Sequence, residues 1–114
     1  MKGVCITTIT MMVALVLSGP SRAQAPAVKV MFDNPSVRAE MSTFEPGSGT
    51  GLHSIVTPET GMVLEGEVTL ESPNGRQTFR AGEVFWVGGL TPHDLRNNGK
   101  APAKVWGVFL KRCD

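Results

Sequence analysis

The sequence predicts an all-β domain, built as a sandwich or a barrel. Three observations carry this expectation. Helix signals are scarce, short segments of alternating polarity recur along the chain, and Gly, Pro, Asn and Ser clusters separate them. About nine short strands in roughly 90 residues leave little room for another architecture.

The first residues of the 114-residue chain stand apart from that domain. Met1 and Lys2 give a positive start, Val4 to Leu17 is mostly apolar, and Ser18, Gly19 and Pro20 break the run. Small residues follow at Ala23 and Ala25, completing the pattern of a secretory signal peptide over residues 1–23. The apolar run is shorter than the ~20 residues a bilayer span requires. Ala23-Gln24-Ala25 has the form of a cleavage site, but Pro26 would then follow the scissile bond. Cleavage is therefore expected after Ala23 or Ala25, giving an exported protein, periplasmic or secreted, with no membrane association afterwards.

Gln24 to Asp114 is 91 residues, enough for one domain with a modest core. Loss of Lys2 and Arg22 from the 11 basic residues, against 10 acidic ones, leaves a net charge of −1. That balance excludes the usual electrostatic footprint of nucleic-acid binding. Cys5 leaves with the signal, so Cys113 has no internal partner and is read as a free thiol on a frayed terminus.

Val28 to Phe32 is the first expected strand, in an N-terminal strand and linker over 24–36 that precedes the main domain at 37–110. Val37 to Phe44 follows, with Val37, Ala39 and Met41 on one face and Arg38, Glu40 and Ser42 on the other. Pro46-Gly47-Ser48-Gly49 is a loop. Leu52 to Val56, Gly61 to Leu64 and Glu67 to Glu71 come next. Ser72-Pro73-Asn74-Gly75 is a hairpin turn between Val68-Thr69-Leu70 and Gln77-Thr78-Phe79. Ala81-Gly82-Glu83 makes a corner before the apolar run Val84 to Val87, and Pro92 to Arg96 and Ala103 to Leu110 complete the set. Residues 111–114 form a tail. Trp86, Trp106, Phe79, Phe85 and Phe109 are expected in the core.

Few residues could carry chemistry. The chain has no tyrosine, and neither a Gly-x-Ser-x-Gly elbow nor a cysteine arrangement supports a nucleophile. What remains is His53, His93 and a small set of carboxylates. Asp94 falls on the face opposite His93 in a regular strand, Glu65 and Glu67 flank a turn at Gly66, and Asn97 serves the backbone near a turn.

The spacing of these residues resembles a known family. Gly47, five residues, His53, one residue, Ile55, three residues, Glu59, six residues, Gly66 is similar to the first cupin motif, which has a second histidine where Ile55 stands. Gly82, five residues, Gly88, then His93, three residues, Asn97 is similar to the second, in which a proline occupies the place of Gly88 and a glycine that of Leu90. Over residues 37–110 the chain looks like a small single-domain cupin of the type-2 kind.

The resemblance implies a jelly-roll β-barrel with a site inside its mouth. It also implies a divalent metal (Fe, Mn, Ni or Zn) on His53, Glu59 and His93, with Ile55, Leu52, Met62 and Leu90 lining the pocket. Two nitrogens and one carboxylate suit Fe(II) in a facial triad, or zinc with a water in the fourth place. The alternative is a metal-free pair in which His53 bonds Glu59. Three functions follow: a metal-dependent enzyme on a small molecule, a small-ligand binding module, and a structural, dimerising cupin whose site is degenerate. Small cupins commonly pair, so a homodimer is expected.

Overall fold

The computed structural model describes residues 24–111 of the chain. The expected signal peptide and Cys113 lie outside the described residues. Among those residues there are eight strands: β1 (Ala27–Asp33), β2 (Val37–Phe44), β3 (Glu59–Glu65), β4 (Glu67–Ser72), β5 (Gly75–Arg80), β6 (Val84–Val87), β7 (Asp94–Arg96) and β8 (Ala103–Leu110). They form a five-stranded sheet in the order β1-β2-β8-β3-β6 and a three-stranded sheet in the order β5-β4-β7. Every pairing is antiparallel. The fold is the all-β cupin barrel. No helix among the described residues is long and apolar enough to cross a membrane.

Local chemistry sets the corners. β4 and β5 are joined across Ser72 and Gly75, where a φ of 122° explains the glycine that closes the Pro73-Asn74 turn. At Gly66 the chain leaves the larger sheet for the smaller one. Its φ is 73°, and a Cβ there would lie 2.6 Å from the Pro102 carbonyl oxygen. The switch between layers therefore requires glycine.

The core lies between the sheets, with Phe44, Val63, Val68, Phe85 and Val105 among its most buried members. Alternation along each strand decides what points there. On β3, Glu59, Gly61 and Val63 are buried, whereas Met62 and Leu64 face out. β2 runs against its own polarity: Glu40 and Ser42 line the interior cavity, and Met41 opposes Trp106 on the outer face. Register continues that outer face across the sheet, from Trp106 to Met62 to Val84 and from Val108 to Thr60 to Trp86.

Three expectations are corrected. Trp86 is 59% exposed rather than core, because it alternates with the buried Phe85 and Val87 on β6. Trp106 and Phe109 are only partly buried, the first on the outer face and the second facing the cavity. Residues 52–56 form no regular strand. That segment touches the sheet through an isolated bridge, His53 to His93, after another at Gly49 to Arg96. Gly51, with a φ of 80°, shifts the register between the two.

Candidate metal centre

His53 and His93 meet because they are directly opposite residues of a two-way backbone bridge. The His53 amide donates to the His93 carbonyl at 2.9 Å, and the return bond is 2.8 Å. Their rings lie side by side, with centroids 4.4 Å apart. Glu59 reaches the same point from the start of β3. One ligand atom from each of the three residues lies within 4.8 Å of the others.

The loop that carries His53 is anchored at several points. Asp94 accepts from the Gly51 amide at 3.1 Å, Arg96 donates to the Gly47 carbonyl at 3.1 Å, and the Leu95 amide donates to the Thr50 hydroxyl at 3.1 Å. Asp94 thus serves the loop rather than the site. Asn97, fully buried, donates to the carbonyls of Phe44 and Ala101 and accepts from the Gly99 amide, fixing the strand end behind His93.

Hydrogen bonding also fixes the tautomers. His53 Nδ1 lies 2.8 Å from the Gly51 carbonyl and His93 Nδ1 lies 2.8 Å from the Thr91 carbonyl. A carbonyl only accepts, so each Nδ1 carries a proton and donates it. The Nε2 atoms are then the ones left to serve as donors to an ion, an orientation typical of metal-ligating imidazoles.

His93 Nε2 stands 2.8 Å from Glu59 Oε1. Two lone pairs would repel at that distance, so a proton lies between them. Burial raises the Glu59 pKa above its ordinary value of 4.5. The charges and hydrogen bond of His93 oppose that rise, as does His53, while the carboxylate of Glu40 adds to it. His93 is 2% exposed and Glu59 is 9% exposed. Two imidazole nitrogens oriented by backbone carbonyls, with His93 and Glu59 buried and His53 half-buried, together with a carboxylate fit a divalent ion by the chemistry of the donors.

The three residues open onto a cavity of ≈ 120 Å³. Ile55 lines it, as do Phe44, Leu70, Leu95 and Phe109. Of the other residues expected there, Leu52 is 74% exposed, Leu90 is 69% exposed and Met62 faces outward; none lines the cavity. Met62 differs from Glu59 by an odd number of strand positions, which sends it to the opposite face. Leu52 lies at the start of the irregular 52–56 segment and is turned to solvent there. The metal-free alternative had His53 bonding Glu59; in the structure the histidine that bonds Glu59 is His93. Glu40 and Ser42 line the cavity and had no motif to reveal them. The available signal was the polar parity of β2, read together with which face is internal.

Barrel, cavity and cluster define the class: a small β-barrel protein with a metal-capable side-chain group beside a cavity. The Cupin_2 family model, described as a cupin domain, matches residues 40–109, and the chain belongs to that family. No curated protein matches it significantly. Among solved structures, a cupin domain from Bordetella pertussis Tohama I is similar, with a TM-score of 0.68 and 21% identity over 80% of this chain and 98% of that one. A protein from Thermus thermophilus has a TM-score of 0.72 and 21% identity, over 82% and 91% of the two chains. A structure from Silicibacter pomeroyi, described as a sugar phosphate isomerase from a cupin superfamily, has a TM-score of 0.60 and 23% identity, over 66% of this chain and 50% of that one. These likenesses are of fold.

Proposed function

We propose that this is an exported cupin that holds a divalent metal on His53 Nε2, Glu59 and His93 Nε2 and presents it to a small molecule in the adjoining cavity. The observation that carries the proposal is the pair of Nδ1–H bonds to the Gly51 and Thr91 carbonyls, which commit both Nε2 atoms to the side where Glu59 stands. Bound there, an ion of the Fe(II), Mn(II), Ni(II) or Zn(II) type would supply Lewis-acid polarisation of a ligand oxygen or nitrogen. The protein's own residues do the rest. Glu59 gives up the proton it shares with His93, Ile55 withholds a further donor and keeps that side apolar, and Phe44, Leu95 and Phe109 exclude water around the ligand. The cavity is far smaller than the ~300–1,000 Å³ of drug-sized sites, so the molecule it takes is small.

The direct Glu59–His93 contact at 2.8 Å favours a second reading, a metal-free small-ligand module in which this pair is a satisfied buried contact. Elemental analysis of mature, untagged protein separates the two. About one equivalent of metal, lost in His53→Ala and Glu59→Ala, is expected; less than about a tenth of an equivalent after metal loading, with no thermal shift, would defeat the metal reading.

The protein works as a homodimer in this proposal. The apolar outer face around Val84 and Trp86, each 59% exposed, supports that. Sedimentation through a dilution series should show a dimer, weakened in Trp86→Glu.

A further inference from the structure

The cavity is also lined by polar side chains that are not among the candidate metal ligands. Glu40 and Ser42 project into it from β2, across the sheet from Glu59 on β3. Between Glu40 and Phe85 the register passes through Gly107 and Gly61, so neither intervening residue puts a side chain on the floor there. A Cβ on Gly61 would sit 2.4 Å from the Phe85 ring, which has moved into the space the glycine leaves.

A carboxylate that shares a cavity-facing strand side with the fully buried Phe44 needs a partner to hold it there. The charge is held in place by a partner. Arg38 Nε donates to Glu40 Oε2 at 2.6 Å, from a rim position whose side chain is far more open to solvent than that of Glu40. Among the described residues no donor reaches Glu40 Oε1, and no lysine or arginine lines the cavity. The cavity lining therefore offers a carboxylate oxygen at Glu40, a hydroxyl at Ser42 and apolar side chains such as Phe44, Leu95 and Val105, in the same space as His53, Glu59 and His93.

We propose that Glu40, with Ser42, is the specificity-determining group of this cavity, selecting a small ligand that donates hydrogen bonds and is neutral or cationic, such as a diol or amino alcohol with a short apolar tail. The inference rests on the reading of this cavity as a small-molecule site, but not on a metal being bound. Oε1 accepts the ligand's O–H or N–H, and the apolar wall takes its tail. A carboxylate in the same place would face Glu40 and Glu59 together, and like charges in a poorly solvated space repel strongly.

A matched set of probes tests this: a vicinal diol with a butyl tail, the corresponding vicinal amino alcohol, and the corresponding α-hydroxy acid. Affinities are measured by ligand-observed NMR on protein as purified and after chelator treatment, so that chelation by the hydroxy acid is read separately. In chelator-treated wild type, the diol and the amino alcohol should bind at least ~10-fold more tightly than the hydroxy acid, the scale of one charge-assisted hydrogen bond. Glu40→Gln should bring the three within about 2-fold of one another. The wild-type ranking stands on its own if the variant does not fold. Equal or tighter binding of the hydroxy acid, an unchanged ranking in a folded Glu40→Gln protein, or no binding of any probe would overturn the proposal. Failure of the metal reading shows separately, in elemental analysis.

Discussion

Leu90 has a φ of 59°, alone among the described non-glycine residues in being left-handed, and it stands where the second cupin motif has glycine. Its amide donates to the Ile55 carbonyl, so the turn is held, while its side chain is largely in solvent and gains little from burial. The left-handed backbone costs a β-carbon residue roughly 1–2 kcal/mol, and glycine returns about half of that as unfolded-state entropy. Leu90→Gly should therefore stabilise the protein by about 0.5–1 kcal/mol, read as a rise of a few degrees in Tm. Glu59 makes the opposite trade. Its raised pKa means that the folded state holds its proton more firmly than the unfolded chain does. Metal-free stability is then favoured at low pH and falls as pH rises above the ordinary value of 4.5 through the folded pKa. Glu59→Gln removes the buried charge, so the metal-free variant should melt at or above wild type at neutral pH, with the advantage vanishing in acid, while metal uptake is lost. A lower Tm at neutral pH would show that the carboxylate is structural.

At the scale of elements, what was legible is what local chemistry decides. The β4–β5 hairpin could be read from Ser72-Pro73-Asn74-Gly75 because a turn is fixed by its own residues. The irregular course of residues 52–56 could not, since it depends on pairing with residues some forty positions away and on the register shift at Gly51. The same limit explains the pocket. Spacing was enough to single out His53, Glu59 and His93, which the barrel brings together, but Leu52, Met62 and Leu90 needed the facing of each strand and turn to be known. Glu40 was visible only as one face of β2, with nothing to say that the polar face was the inner one. Gly66 is the element-scale position most open to test. With a positive φ and the Pro102 carbonyl and Ala103 packed against it, Gly66→Ala should cost about 3 kcal/mol or more. Chemical denaturation measures this, and a loss under about 1 kcal/mol would mean that the corner between sheets can shift.

For the molecule as a whole, two sheets of unequal size enclose a cavity whose lining combines the metal-capable cluster with other polar and apolar side chains. His53, Glu59 and His93 line it together, and Glu40, Ser42 and Ile55 line it with them. Ile55 stands where the first cupin motif has its second histidine, so restoring a nitrogen donor tests whether the frame around it is sound. Ile55→His should raise metal affinity at least ~10-fold, measured by competition with a chelating dye. Unchanged affinity would mean that the three existing donors do not converge on an ion. The most direct test of that convergence is an anomalous-difference map from crystals of mature protein, recorded at the absorption edge of the bound metal. One strong peak is expected about 2.0–2.2 Å from His53 Nε2, His93 Nε2 and a Glu59 oxygen, with His93 and Glu59 no longer in contact. A map with no peak there, and the Glu59–His93 hydrogen bond intact in metal-soaked crystals, would contradict it.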